Sequence, residues 1–177
     1  GSSICTLHNP KCNFCPWQNH CESYSFNEQT KIPVKSSNNE LPFHVIGVAV
    51  IFDPNGNILI DQRLNEGPLG GMWEFPGGKQ EGAELIEQTI LREIKEELDI
   101  HIKIMKELIV FDHQYSHRKL RFKVYLCKWV KGCPKPLASQ QIKWVKPDDL
   151  SKYPFPLANS KIINSLIKFL AEDRINF

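Results

Sequence analysis

Residues 75–100 read FPGGKQEGAELIEQTILREIKEELDI, and this stretch decides the fold. A glycine turn leads into a helix that we expect to run over 83–98, with Glu93, Glu96 and Glu97 on one face because they are spaced i, i+3 and i+4. Like charges so placed each weaken a helix by about 0.2–0.5 kcal/mol unless they are neutralised. A hard cation such as Mg²⁺ would neutralise them, since it binds carboxylate, water and phosphate oxygens. The stretch therefore predicts a divalent-metal site for handling a diphosphate.

The alternative is a solvated acidic helix face beside an incidental glycine turn, which is common on globular proteins. The full spacing argues against it, because from Gly78 onward it follows G-x5-E-x7-R-E-U-x-E-E-x-G-U, where U is apolar. This pattern resembles the Nudix box. Only Asp99 departs from it, in place of the last glycine. Because Gly or Asn in the left-handed conformation ends many helices, and Asp is tolerable there, the change concerns the helix cap and not the metal ligands.

The Nudix resemblance implies a role for each charged residue of the box. Glu93, Glu96 and Glu97 would hold Mg²⁺, or Mn²⁺ in its place, and Glu93 would also handle the proton of the attacking water. Arg92 and Glu84 would orient these carboxylates, since metal ligands need partners of their own.

Several segments outside the box resemble the MutT branch of the family, which hydrolyses 8-oxo-dGTP to 8-oxo-dGMP and pyrophosphate. The turn at 73–79 resembles the MutT metal turn, which implies that the Gly77 carbonyl also binds metal. The sequence FPLAN at 155–159 resembles FPPAN of MutT, which implies that the amide of Asn159 hydrogen-bonds the oxidised guanine. The same resemblance assigns substrate binding to Arg63, Phe75 and Lys79.

Two further loops bear on the activity. Residues 136–141 lack the carboxylate that MutT has before its penultimate strand, so we expect hydrolysis to suffer more than nucleotide binding. Tyr115-Ser116-His117 resembles the Phe-Ser-His loop with which the C-terminal domain of MutY reads 8-oxoguanine in DNA. That resemblance implies that Ser116 and His117 contact the lesion and that DNA containing 8-oxoguanine is a possible partner; the alternative is a plain polar hairpin loop.

Four thiols near the start form a second constellation, Cys5-x6-Cys12-x2-Cys15-x5-Cys21. Four thiolates can hold zinc or an iron–sulfur cluster, but zinc sites usually pair two short Cys-x2-Cys knuckles and this loop has one. Disulfides would need an oxidising compartment, which nothing else in the sequence indicates. The spacing resembles the [4Fe-4S] loop of endonuclease III and of MutY-type adenine DNA glycosylases, which implies a cluster on these four residues.

The Nudix-like pattern and the four-cysteine pattern together suggest how the chain divides into domains. We expect a cluster loop over 1–26, a linker over 27–42 and a Nudix domain over 43–177. The chain enters directly at the cluster loop, so we expect it to be a detached C-terminal portion of a MutY-type glycosylase, without the helix-hairpin-helix domain that normally precedes such a loop.

Charge and hydropathy narrow the function classes. A net charge of +2 and a pI near 8.2 are too mild for a dedicated nucleic-acid footprint, for which domain pI values above about 9 are typical. The sequence contains neither an apolar run of about 20 residues nor a signal-peptide pattern. We therefore expect a cytoplasmic protein with no membrane partner, and we expect it to be a monomer. The resemblance to MutT implies that it acts on a nucleoside triphosphate.

The remaining patterns predict an α/β fold, an α/β/α sandwich on a mixed sheet, because strands surround one long helix and a second helix closes the chain. The Nudix resemblance implies the same fold. Strands are predicted at 44–52, 58–63, 102–112, 120–129 and 142–145, with a polar loop at 113–119 and helices at 83–98 and 159–171.

Overall fold

The central strand of the sheet, Phe43–Phe52, is buried on both faces over its second half, where the exposure of every side chain from Val48 to Phe52 is 5 % or less. The computed structural model describes residues 3–6, 9–29, 41–116 and 118–172. Within them the chain forms two units, Gly1–Glu40 and Leu41–Phe177. Most of the predicted linker, residues 30–40, lies outside the described residues.

The second unit holds one mixed sheet with a helix on each face. Its strands are β1 Phe43–Phe52, β2 Ile58–Gln62, β3 Trp73–Glu74, β4 Gly77–Lys79, β5 His101–Tyr115, β6 Arg118–Lys131 and β7 Gln141–Val145. The main path runs β3-β2-β1-β6-β5, with β4 paired to β1 and β7 to β2. Only the β1–β6 pair is parallel among the described strands. The helices in the described residues are α1 Glu22–Ser25, α2 Ile86–Leu98 and α3 Leu157–Glu172, with 3₁₀ turns at Cys12–Phe14, Gln18–His20 and Pro147–Lys152.

Alternation along β1 divides the core between the two faces of the sheet. Ala49 and Ile51 pack with Leu59 against α2, whose Ile86, Ile90, Ile94 and Leu98 are all buried, as the apolar spacing predicts. Val48, Val50 and Phe52 pack on the opposite face against α3. The predicted α/β sandwich with a mixed sheet is therefore confirmed.

Helix α2 begins at Ile86, three residues later than predicted. Leu85 is extended, and its N–H donates to the Gln88 Oε1 at 2.8 Å, which satisfies one backbone donor at the helix start. The helix ends at Asp99, whose φ of 55° and ψ of 34° are left-handed, as expected for the residue that replaces glycine. The Asp99 carboxylate pairs with Lys95 and with Lys135.

The polar loop predicted at 113–119 is wrong. Strand β5 continues to Tyr115 and β6 begins at Arg118, so the pairing runs almost to the tip of the hairpin. Backbone hydrogen bonds need no apolar side chains, and cross-strand pairs such as Asp112–Arg121, at 2.7 Å, stabilise exposed strand positions. Among the described residues, no helix is both long and apolar enough to span a membrane.

Candidate active site

The turn before α2 contains two glycines, Gly77 and Gly78, that lie closer to their neighbours than a residue with a side chain could. Gly77 has a φ of 148°, and a Cβ there would lie 2.1 Å from the Gly47 carbonyl oxygen on β1. A Cβ on Gly78 would lie 2.1 Å from Cδ of Glu93. The turn therefore gives the acidic face of α2 direct access to the backbone of β4.

Arg92 collects three of the predicted site residues around one guanidinium. Its Nη2 donates to Glu84 Oε1 at 2.7 Å, and its Nη1 donates to Glu93 Oε1 at 2.9 Å and to Glu96 Oε2 at 3.3 Å. Nη2 also donates to the Lys79 carbonyl at 3.2 Å, while the Lys79 side chain is exposed. These hydrogen bonds raise the pKa of Arg92, and Arg92 in turn lowers the pKa of Glu84 to about 2. The carboxylates of Glu84 and Glu93 are thus held in fixed positions.

Glu97 lies deeper, against the turn itself. Its Oε2 accepts a long hydrogen bond, 3.4 Å, from the Gly77 N–H. Burial, and after it the negative charge of Glu93, raises the pKa of Glu97 to about 7. The ionised form of Glu97 is therefore disfavoured at this position unless a cation binds beside it.

A further acidic pair, which the sequence analysis did not single out, lies on β2 and β3. Asp61 is directly opposite Glu74 in the β2–β3 ladder, and Arg63 Nη1 donates to both Glu74 oxygens at 2.8 and 2.6 Å. Asp61 is 5 % exposed, and burial followed by the charges of Glu74 and Glu97 raises its pKa to about 8. One feature of the sequence indicates Asp61, because this acid lies two residues after Leu59 in an apolar strand. That spacing places both side chains on the face of the strand toward α2.

The donor chemistry fits a hard divalent cation. Carboxylates crowd one another, and Asp61 Oδ1 is a buried oxygen with no hydrogen-bond partner among the described residues. In the same residues, no set of three or more His, Cys, Asp or Glu side chains already stands in a metal-holding arrangement. Arg92 engages one oxygen of Glu93 and one oxygen of Glu96, which leaves the second oxygen of each carboxylate for a cation.

An aromatic cluster lies on the opposite face of the sheet, and it includes predicted substrate residues. Phe75 is 4 % exposed and stacks on Phe155 with ring centroids 5.4 Å apart. Phe75 is thus a core residue behind Phe155 and presents little surface of its own. Asn159 is half-buried two residues after the start of α3, so it lies within the helix and not at its N-cap.

The predicted residues Arg63 and Ser116 follow other elements of the chain, β2 and β5. The predicted nucleotide contact Arg63 pairs with Glu74, on the acidic side of the sheet. Ser116 is exposed at the end of the β5–β6 hairpin, and His117 lies outside the described residues.

In the first unit, the four predicted cluster ligands line one cavity of about 30 Å³, together with Ile4, Gln18 and Tyr24. The Lys11 N–H donates to the Ile4 carbonyl at 2.9 Å, which brings the chain neighbours of Cys12 and Cys5 together. Cys15 ends the first 3₁₀ turn, and Cys21 precedes α1. All four are free thiols.

Residues 47–165 match the family model described as NUDIX domain. The chain belongs to the Nudix family. The match spans the glycine turn, α2 and the start of the Asn159 helix, so both faces of the sheet lie within it.

Relatives of this Nudix chain include proteins of several kinds. It is 38 % identical over 81 residues to an 8-oxo-dGTP diphosphatase of Proteus vulgaris. These residues make up 46 % of this chain and 72 % of that protein. A solved MutT structure, from work on the Aliivibrio salmonicida and Vibrio cholerae proteins, is 34 % identical with a TM-score of 0.59 and covers 71 % of this chain and 98 % of that one. An adenine DNA glycosylase of Arabidopsis thaliana is 26 % identical over 150 residues, which cover 71 % of this chain and 24 % of that protein.

Proposed function

We propose that this Nudix chain hydrolyses 8-oxo-dGTP to 8-oxo-dGMP and pyrophosphate with Mg²⁺ or Mn²⁺. The observation that carries the proposal is the convergence of Glu93 and Glu97 on the Gly77–Gly78 turn, with Glu93 packed on Gly78 and Glu97 bonded to Gly77. The similarity to 8-oxo-dGTP diphosphatases supports the choice of nucleotide.

Glu93, Glu96, Glu97 and the Gly77 carbonyl would hold the cation. When bound, the cation neutralises charge on the phosphates and makes the attacking water more acidic. Glu93 is the group that takes the proton of that water, because it is fixed by Arg92 on one side and by Gly78 on the other. Arg92 is a positioning residue, since its guanidinium hydrogen-bonds the carboxylates of Glu84, Glu93 and Glu96.

The base would bind on the other side of the sheet, beside Phe155 and Asn159. A carboxamide can donate to and accept from the edge of an oxidised guanine at the same time. Phe155, backed by Phe75, supplies an aromatic surface next to it.

The test of this function is release of pyrophosphate from 8-oxo-dGTP by the purified chain with Mg²⁺. We expect turnover that depends on the cation and that prefers 8-oxo-dGTP to dGTP. Tight binding to a duplex with 8-oxoguanine opposite adenine, with no pyrophosphate release, would contradict the proposal.

Gly78→Ala is expected to lower turnover about 10- to 100-fold, the range typical when the support of a metal ligand is lost. The new Cβ would overlap the Glu93 carboxylate, which is the end of a flexible side chain and can move away. The thermal midpoint should therefore change little. Turnover and thermal melting measured on the same preparation check both parts.

Gly47→Ala, on the neighbouring strand, is the contrasting variant. Its Cβ would lie 2.8 Å from Ile90 Cγ1, in the core between β1 and α2, so it should lower the thermal midpoint. Full turnover in Gly78→Ala would argue against the role of Glu93.

A second candidate function is favoured by the similarity to the adenine DNA glycosylase. We propose, as the alternative, that the Nudix unit reads 8-oxoguanine opposite adenine in DNA for a glycosylase domain, with Ser116 and His117 contacting the lesion. Under either function, we infer that Cys5, Cys12, Cys15 and Cys21 hold a [4Fe-4S] cluster, because all four line one cavity and remain free thiols.

Anaerobic reconstitution with iron and sulfide should give broad visible absorption and four irons per chain, and Cys15→Ser should lose both. Nucleotide hydrolysis should persist in Cys15→Ser, because the thiols belong to the first unit and the carboxylates to the second. Cys133→Ser, at an exposed cysteine outside the loop, is the matched control. Stoichiometric zinc without iron uptake would overturn the cluster assignment.

A further inference from the structure

Asp61 is a buried carboxylate in the interior of a strand. The residues before it on β2, Ile58, Leu59 and Ile60, are fully buried apolar side chains, and Asp61 itself is only 5 % exposed. Its Oδ1 has no hydrogen-bond partner among the described residues. An unpaired acid in such a position is costly to the fold, so it needs a compensating ligand or a proton.

The nearby cationic side chain is already engaged. Arg63, two residues further along the chain, directs Nη1 to both oxygens of Glu74. Glu74 stands directly opposite Asp61 on β3, so the position faces a second carboxylate and not a free cation.

Asp61 also lies on the face of the sheet that α2 covers. It lies on the same side of β2 as Leu59, which packs against that helix, because strand side chains alternate. After burial and Glu74, the negative charge of Glu97 is a further cause of the raised pKa of Asp61. Asp61 thus belongs to the same electrostatic cluster as the Glu97 that lies against the glycine turn.

The loop before β7 hydrogen-bonds both to Glu97 and to the residue that follows Asp61. The Leu137 N–H donates to the Glu97 carbonyl at 2.9 Å, and the Gln140 N–H donates to the Gln62 carbonyl at 2.8 Å. The loop therefore connects the end of α2 with the end of β2. Residues 136–141 contribute no acid of their own, and Glu74 is paired with Arg63, so Asp61 is the carboxylate with an unengaged oxygen on this side of the cluster.

We propose that Asp61 is a further ligand of the divalent-cation centre, donating its unpartnered Oδ1 alongside Glu97. This inference rests on the proposed function, since that function supplies the cation. It explains why a buried oxygen has no hydrogen-bond partner among the residues that the structure describes. The competing explanation is an acid that stays protonated and serves only the packing of β2.

The experiment is a Mn²⁺ titration of the full chain without nucleotide, followed by the electron paramagnetic resonance of free Mn²⁺. Asp61→Asn should bind Mn²⁺ at least tenfold more weakly than the natural protein. Asp148→Asn, at an exposed acid of the 3₁₀ turn Pro147–Lys152, should bind like the natural protein. Asp61→Ala provides a second variant that also lacks the oxygen.

Thermal melting with and without Mn²⁺ distinguishes a metal-ligand role of Asp61 from a packing role. Without Mn²⁺, Asp61→Asn should melt at or above the temperature of the natural protein, and added Mn²⁺ should raise the midpoint of the natural protein more than that of the variant. Equal Mn²⁺ affinity in the natural protein and in both Asp61 variants would overturn the inference, and so would absence of Mn²⁺ binding to the natural protein.

The two proposals fail separately. If the natural protein cleaves 8-oxo-dGTP and the Asp61 variants bind Mn²⁺ with the same affinity as it does, only this inference is overturned. Asp61-dependent Mn²⁺ binding without any nucleotide cleavage would overturn the proposed function and support the ligand assignment.

Discussion

Glu97→Gln should reduce Mg²⁺-dependent hydrolysis of 8-oxo-dGTP by more than about 100-fold, the upper end of what loss of a supporting residue costs at metal sites. Glu97 accepts a hydrogen bond from the Gly77 N–H, and we expect no neighbouring carboxylate to fill this position against the glycine turn. The amide keeps the shape and removes the charge. Because Glu93 and Glu97 repel each other at i, i+4, by about 0.2–0.5 kcal/mol, the thermal midpoint should stay or rise slightly.

The matched control is Glu87→Gln on the same helix. Glu87 is exposed and contacts the Tyr125 hydroxyl at 3.4 Å, away from the glycine turn, so the same charge change should leave turnover intact. Pyrophosphate release and thermal melting are measured for both variants. Unchanged turnover in Glu97→Gln would remove the acidic face of α2 from the mechanism.

Asn159→Ala should erase most of the preference for 8-oxo-dGTP over dGTP. Loss of hydrogen bonds from a buried polar group costs about 1–3 kcal/mol, or roughly 5- to 150-fold in the ratio of the two kcat/KM values. Hydrolysis of dGTP itself should change less. The measurement is kcat/KM for both nucleotides in the natural protein and in the variant.

Asn164→Ala, at an exposed asparagine of the same helix, controls for general effects on α3. A purely structural role for Asn159 would lower stability and slow both nucleotides alike. The start of α3 at Leu157 already speaks against an N-cap role, which belongs to the residue before the helix. An unchanged nucleotide ratio would assign Asn159 to packing of the helix.

The sequence predicted the parts of the fold that depend on spacing along one element. The four apolar residues of α2, its acidic face and the left-handed Asp99 follow from helical geometry, which operates over a few residues. The same holds for the apolar strand β1. The boundaries were less accurate, because Leu85 is extended and the β5–β6 pairing continues through polar residues.

The site was harder to predict where it depends on contacts between distant strands. The ion pair of Arg63 with Glu74 joins residues eleven positions apart through the β2–β3 ladder, and no local pattern indicates it. Asp61 becomes unusual only when its burial and its missing partner are known. Phe75 was predicted to contact substrate, but the stack on Phe155 makes it a backing residue.

The end of α2 has a property that a glycine there would not give it. Glycine enters the left-handed conformation without a partner, whereas Asp99 does so with two lysines, Lys95 and Lys135, at half-exposed positions. Attraction between exposed charges weakens as ionic strength rises, with a screening length of about 8 Å at physiological salt. Glu97 lies two residues before this cap, so we expect added salt to loosen the end of the helix that carries this proposed metal ligand.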